Sequence, residues 1–169
     1  MPATEQDLYE RFQALGIAWQ TTEHPPLFTV EDSKALRGEL PGGHVKNLFV
    51  RDKKKRLWLI VAQEDCPVDL KGFKKRLGAQ GSLSFGSPEL LMEVLGVIPG
   101  SVTPLGLIND ADRRVTLILD EGLMAHDQIN VHPLRNDATT TVAREGLMAF
   151  IRDCGHDPQI MNLVAEADM

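Results

Sequence analysis

The sequence predicts an α+β fold: one domain over residues 1–169, built on a mixed, mostly antiparallel sheet of about six or seven strands with helices packed around it. Three observations carry this. Apolar and β-branched runs of strand length recur at Val45–Val50, Leu57–Ala62, Arg114–Asp120 and Ala138–Val142. Capped stretches with apolar residues at helical spacing stand among them. The two kinds alternate without a regular βαβ repeat, and some strand runs are joined by turns too short for a crossover.

The elements follow in order. Thr4 caps a first helix with Asp7 three residues on; Leu8, Phe12 and Leu15 form its apolar stripe and Gly16 ends it. Ala18–Glu23 is a strand stopped by His24-Pro25-Pro26, since proline removes a ladder donor and restricts the residue before it. Thr29 caps a second helix running through Val30, Ala35 and Leu36 to Gly38. Gly42-Gly43 leads into a strand ending near Val50, a charged turn from Arg51 to Arg56 follows, and Leu57–Ala62 returns antiparallel as a central strand. Asp69 caps a helix to Leu77 with a basic outer face. Leu83–Phe85 is a short strand. Ser87-Pro88 opens a helix that Gly96 closes. A loop held between Pro99 and Pro104 runs into Leu105–Ile108, and Asn109-Asp110 turns the chain. Strands at Arg114–Asp120, Ile129–Leu134 and Ala138–Val142 precede a last amphipathic helix, Arg144–Asp153, and an acidic tail from Pro158 that frays.

Composition excludes several classes. With 43% hydrophobic and 25% charged residues the chain is globular rather than disordered or fibrous. No apolar run reaches the ~18 residues that span a bilayer. Met1–Asp7 lacks the basic and apolar regions of a signal peptide. Two cysteines, Cys66 and Cys154, make no disulfide framework, so the expectation is a cytoplasmic protein with reduced thiols. The net charge is −6, but residues 46–76 carry +6 and the remainder −12. A basic patch on an acidic body can hold a polyanion locally and repel it elsewhere, although such lysines can equally be a solvated turn and helix face.

The strand around Lys46 draws attention for chemistry. Side chains alternate along a strand, so Lys46 shares a row with Leu48 and Val50, and Asn47 shares the other with Val45 and Phe49. A buried ammonium without partners costs several kcal/mol. Two readings follow: Lys46 reaches water along its aliphatic stem, or it lines a pocket for an anionic or carbonyl group. Other chemistries are poorly served. The five histidines contain no i,i+4 pair and there is no paired-cysteine motif, so no metal site is expected. No glycine-rich phosphate loop occurs, and Ser101 lacks the flanks of a nucleophile elbow. No cofactor is expected.

Taken together, His24-Pro25-Pro26, Gly43 to Phe49, Pro99 to Pro104, Leu107-Ile108-Asn109-Asp110, His132-Pro133-Leu134 and Gly155-His156 resemble the YbaK/ProX family of aminoacyl-tRNA editing domains, in order and over nearly the whole chain. The closest branch is the free-standing prolyl-tRNA editing proteins. The resemblance implies a metal-free hydrolase that clears a wrong amino acid, alanine foremost, from mischarged tRNA(Pro), with prolyl-tRNA synthetase as a candidate partner. It implies that Lys46, Gly100 and Ser101 are catalytic. Loop N–H groups can meet an ester oxyanion, and Lys46 is a suitable cation for the terminal adenosine's phosphate. For the amino-acid pocket it implies Phe28, Val30, Ser33, Asn47, His132, Val102 and Pro104. Lys53, Lys54 and Lys55 are expected to hold the tRNA body. Two alternatives stay open: a Cys-tRNA(Pro) or other misacyl-tRNA deacylase, and a noncatalytic module that binds aminoacyl-tRNA or nucleic acid. The acidic remainder and the lack of a helix-turn-helix argue against duplex DNA.

Overall fold

Thr4 accepts from the Asp7 N–H while Asp7 accepts from the Thr4 N–H, a reciprocal cap that starts helix α1, Glu5–Ala14. In the computed structural model, which describes residues 2–25 and 42–163, eleven further elements follow besides two 3₁₀ turns. The strands are β1 (Trp19–Glu23), β2 (Gly43–Arg51), β3 (Leu57–Gln63), β4 (Ser84–Phe85), β5 (Val115–Asp120), β6 (Gln128–Val131), β7 (Ala138–Ala143) and β8 (Gln159–Met161). The other helices are α2 (Leu70–Leu77), capped by Asp69, α3 (Pro88–Leu95), capped by Ser87, and α4 (Arg144–Asp153).

The α+β class is correct, with eight strands described rather than six or seven. Their order is β1-β7-β6-β2-β3-β5-β8, with β4 also on β2. Four pairings are antiparallel, β1–β7, β2–β3, β2–β4 and β6–β7. Three are parallel, β2–β6, β3–β5 and β5–β8. The expected β2–β3 hairpin is present, in register from Val45↔Gln63 to Arg51↔Leu57.

β3 shows why its sequence does not alternate: it is covered on both faces. Leu57, Leu59 and Val61 join the larger core with Leu8, Phe12, Leu95, Leu105, Phe150 and Ile151. Trp58, Ile60 and Ala62 join a smaller core with Val50, Phe73 and Ile118. Each such fully buried side chain contributes about 1.5–3 kcal/mol relative to exposure.

Two local expectations differ from the structure, and one segment given no element takes one. Pro104–Asn109 is a 3₁₀ helix, capped by the Thr103 hydroxyl, because Leu105 and Leu107 must both reach the larger core within one short turn. β6 stops at Val131, before Pro133, which cannot donate to a ladder, and Leu134 takes a φ of 69°. The tail from Pro158 does not fray at once. Gln159–Met161 pairs in parallel with β5, and Leu163 is fully buried in the smaller core. The helix expected after Thr29 lies outside the described residues.

Candidate functional site

The register divides the sheet face that carries Lys46 into two halves. Cα partners across a ladder share a face. Gly43 pairs with Ile129 and His44 with Asn130, so His44 and Lys46 lie on the Asn130 side. Asn130 pairs with Thr141, whose hydroxyl donates to the Asn130 Oδ1 at 2.6 Å. Thr139 follows by alternation, and Thr22 and Gln20 oppose Thr139 and Thr141 across β1. This half of the face is therefore polar throughout: Gln20, Thr22, His44, Lys46, Asn130, Thr139 and Thr141. The other half is the smaller apolar core. Lys46 stands at the boundary, half-buried, opposite Ala62.

Among the described residues no hydrogen bond or ion pair holds the Lys46 ammonium. Its charge is felt at Cys66. Burial pushes the Cys66 thiol up, the Asp120 carboxylate pushes it further, and the Lys46 charge opposes both. Asp120 is itself tied down, accepting from the Gln63 N–H at 2.9 Å and the Gly122 N–H at 3.0 Å. An open cleft of about 540 Å³ lies here, lined by Gln63, Asp65, Cys66, Asp120, Glu121, Gly122 and Asn162. Burial pushes the Cys154 thiol up to about 11, so neither cysteine is an activated nucleophile. Among the described residues no cluster of His, Cys, Asp and Glu is placed to hold a metal ion.

Two loops meet beyond the end of β6. His132 follows the end of β6, two residues beyond Asn130 and on the same side by alternation. The His132 Nδ1–H donates to the Ala138 carbonyl at 3.3 Å, which leaves Nε2 as an acceptor. Burial lowers the His132 pKa, the Ala138 bond opposes this, and nearby His24 lowers it further. His24 is held between the Pro25 carbonyl and the Thr139 hydroxyl, both at 2.8 Å. Gly100 has a φ of 90°, a backbone state that favours glycine, and a Cβ there would stand 3.4 Å from the Asn136 Nδ2. The Pro99–Pro104 loop thus lies against the loop that His132 begins.

The remaining expected residues are placed as follows. Ser101 is buried and its N–H donates to the Ile98 carbonyl at 3.0 Å. Among the described residues the Gly100, Val102 and Thr103 N–H groups of this loop have no hydrogen-bond partner. Val102 is half-buried against the larger core, and Pro104 is buried as the first residue of the 3₁₀ helix. Asn47 faces away from Lys46, on the row of Val45 and Phe49, and its Oδ1 is buried without a partner. Lys53, Lys54 and Lys55 are exposed, seven or more residues beyond Lys46 on the same hairpin, on the order of 20 Å away. Phe28, Val30 and Ser33 lie outside the described residues.

The sequence reading missed the polar half-face itself. Thr139-Thr140-Thr141 is chemically uniform, so its pattern cannot say which two threonines share a face with Asn130. Only the register does.

With this geometry in place, residues 24–150 match the aminoacyl-tRNA editing domain family. The chain belongs to that family, in its YbaK/ProX type. Among curated relatives, "Prolyl-tRNA synthetase associated domain-containing protein 1" of Bos taurus is 38% identical over 159 residues, covering 92% of each chain. The "Prolyl-tRNA editing protein ProX" of Acetoanaerobium sticklandii is 33% identical over 153 residues, covering 90% of this chain and 93% of the relative. A solved structure described as a proposed trans-editing enzyme for prolyl tRNA synthetase superposes with a TM-score of 0.71 at 20% identity, covering 95% of this chain and 94% of that one, a likeness of fold.

Several motif residues of this editing domain hold the scaffold instead of lining the polar face. Asn109 donates to the Leu95 carbonyl at 2.8 Å and accepts from the Ala3 N–H at 2.6 Å. His156 and Asp110 form a buried pair at 2.9 Å. Burial raises the Asp110 pKa, but the bonds from His156, Arg114 and Val115 outweigh it and hold the carboxyl below its ordinary range. Arg135 binds Glu5, Glu23 and Asp137, tying the loop after His132 to α1 and β1.

Proposed function

We propose that the protein is an aminoacyl-tRNA deacylase that hydrolyses mischarged tRNA(Pro), with Ala-tRNA(Pro) as its substrate, acting in trans to prolyl-tRNA synthetase. The observation that supports this best is Lys46: an ammonium with no described hydrogen-bond or ion-pair partner, on a polar half-face that it shares with His44, Asn130, Thr139 and Thr141. Membership of the editing-domain family and the name of the ProX relative supply the substrate class.

In this reading Lys46 binds the phosphate or hydroxyls of the terminal adenosine. Water adds to the ester carbonyl carbon, and the oxyanion that forms accepts from the N–H groups of Gly100 and Val102. The ester C–O bond then breaks, and the departing ribose oxygen takes a proton. His132 is neutral, with its Nδ1–H directed at Ala138, so its Nε2 can orient water or the ribose hydroxyl. A second pocket of this kind is needed because small apolar differences give a synthetase only modest discrimination.

The deciding experiment is deacylation of Ala-tRNA(Pro) and Pro-tRNA(Pro) side by side. We expect Ala-tRNA(Pro) to be cleaved at least tenfold faster. Equal rates would end the editing assignment, and binding without cleavage of either would point to the noncatalytic module.

A further inference from the structure

We propose that Phe85 is a stacking platform for an unpaired base of the bound nucleic acid, with Lys53, Lys54 and Lys55 holding phosphates of the same molecule. This rests on the reading that the ligand is a tRNA. β4 is only two residues long and pairs Ser84 with Arg51 and Phe85 with Val50. Val50 is fully buried in the smaller core. Its partner Phe85, on the same face at the outer edge, is 63% exposed, the most exposed large apolar side chain among the described residues. Its backbone is nonetheless fixed. The next residue, Gly86, donates to the Phe49 carbonyl at 2.9 Å and packs so closely that a Cβ would stand 2.5 Å from the Phe49 ring. The chain therefore presents an aromatic ring at the surface on a fixed backbone, where its own core makes little use of it.

The surroundings decide what the ring fits. Val50 leads directly into the basic turn, so Lys53 lies on the order of 10 Å from Phe85. The Lys53 N–H donates to the Gln80 carbonyl at 2.8 Å, and its Cβ abuts Gly81, which seats the turn beside the segment leading into β4. The one carboxylate in the turn, Asp52, is buried and occupied by Arg56 and by the Arg56 and Gln80 N–H groups. It leaves the lysine charges uncompensated, and among the described residues Lys53, Lys54 and Lys55 form no ion pair. Helix α2 packs on this same smaller core through Phe73 and adds Lys71, Lys74 and Lys75. An exposed aromatic set among uncompensated lysines is the pairing that single-stranded nucleic acid requires, since every base has a π-face and every nucleotide a phosphate. A protein partner is less well matched, because lysine is depleted at protein interfaces. Phe85 lies four strand residues and one strand spacing from Lys46, about 14 Å. That is on the order of four nucleotides of a single strand, so a strand whose 3′ end sits at Lys46 reaches the ring.

The test is binding of deacylated tRNA(Pro) and of a single-stranded RNA oligonucleotide ending in CCA, followed by fluorescence anisotropy at several salt concentrations. Phe85→Ala should weaken both about tenfold, with an unchanged melt and an unchanged salt slope. Phe85→Trp should bind as tightly as the parent, and Phe85→Leu as poorly as Phe85→Ala. Replacing Lys53, Lys54 and Lys55 with alanine should instead flatten the salt slope. The proposal is overturned if the parent binds neither RNA, if Phe85→Ala binds like the parent, or if leucine restores binding. It is also overturned if Phe85→Ala spares RNA binding but abolishes association with purified prolyl-tRNA synthetase, which would make this a protein-docking face. Because the RNA probes carry no amino acid, the outcome is independent of deacylation: a protein that does not cleave Ala-tRNA(Pro) can still show a Phe85-dependent affinity, and the reverse.

Discussion

At the scale of single residues, Lys46 and His132 make separable predictions. Lys46→Met keeps most of the aliphatic stem and removes the charge. It should lower kcat/KM for Ala-tRNA(Pro) by about tenfold to a hundredfold, the order of effect of losing one hydrogen bond from a charged group, while the melting temperature stays within a few degrees. A rate equal to the parent's would remove Lys46 from the site, and a collapsed melt would make it structural. His132 predicts a pH profile. Its folded pKa is lowered, chiefly by burial, so the neutral ring persists below the ordinary histidine value of 6.5. Deacylation that uses the Nε2 lone pair should therefore hold its rate through pH 6.5 and fall only at lower pH. His132→Ala should lose that acid limb along with activity. An acid limb unchanged in the variant would assign it to another group.

Among the elements, the β2–β3 turn shows how a charged sequence becomes an ordered one. Lys55 has a φ of 66°, and Asp52 gathers the turn by accepting from the Arg56 N–H and Nε at 2.9 Å and the Gln80 N–H at 3.0 Å. Burial pushes the Asp52 carboxyl up, but these hydrogen bonds outweigh it and bring it down to about 2 from an ordinary 3.8. A depressed carboxylate contributes stability above its unfolded pKa and loses it as pH falls through the folded one. Asp52→Asn should therefore cost about 1–3 kcal/mol at neutral pH, and that difference should shrink between pH 4 and pH 2. Urea unfolding of both proteins across this range is the measurement. A difference independent of pH would mean that geometry rather than charge holds the turn.

For the molecule as a whole, charge separation in the proposed function sets the approach of the tRNA. The acidic remainder repels a polyanion, and the basic segment, which carries +6, is displaced from Lys46 along the same hairpin. Changing Lys53, Lys54 and Lys55 to alanine should raise KM for Ala-tRNA(Pro) severalfold and leave kcat nearly unchanged, since these contacts are made equally in ground and transition states. The salt dependence of kcat/KM should flatten as fewer counterions are released. If kcat falls instead and KM stays put, the lysines act on the chemistry and not on docking.

The sequence by itself determined the class, most element boundaries and the residue to test first, because these are local properties. The Thr4, Asp69 and Ser87 caps, the glycine and proline stops, and the Leu57–Ala62 run each act within a few residues. The ordered motifs also located the family. Tertiary structure alone decided the long-range pairings, and with them which residues share the polar face. The parallel β2–β6 contact of two residue pairs joins Gly43 to Ile129 across a long stretch of chain, and no turn chemistry announces it. That contact puts Lys46, Asn130 and two of three identical threonines on one face. Gln159–Met161 became a strand only because β5 offered an open edge and the smaller core had room for Leu163. Phe85 likewise reads as an ordinary apolar strand residue. Its exposure follows from where the sheet ends, which depends on contacts far away in the chain rather than on the residues beside it.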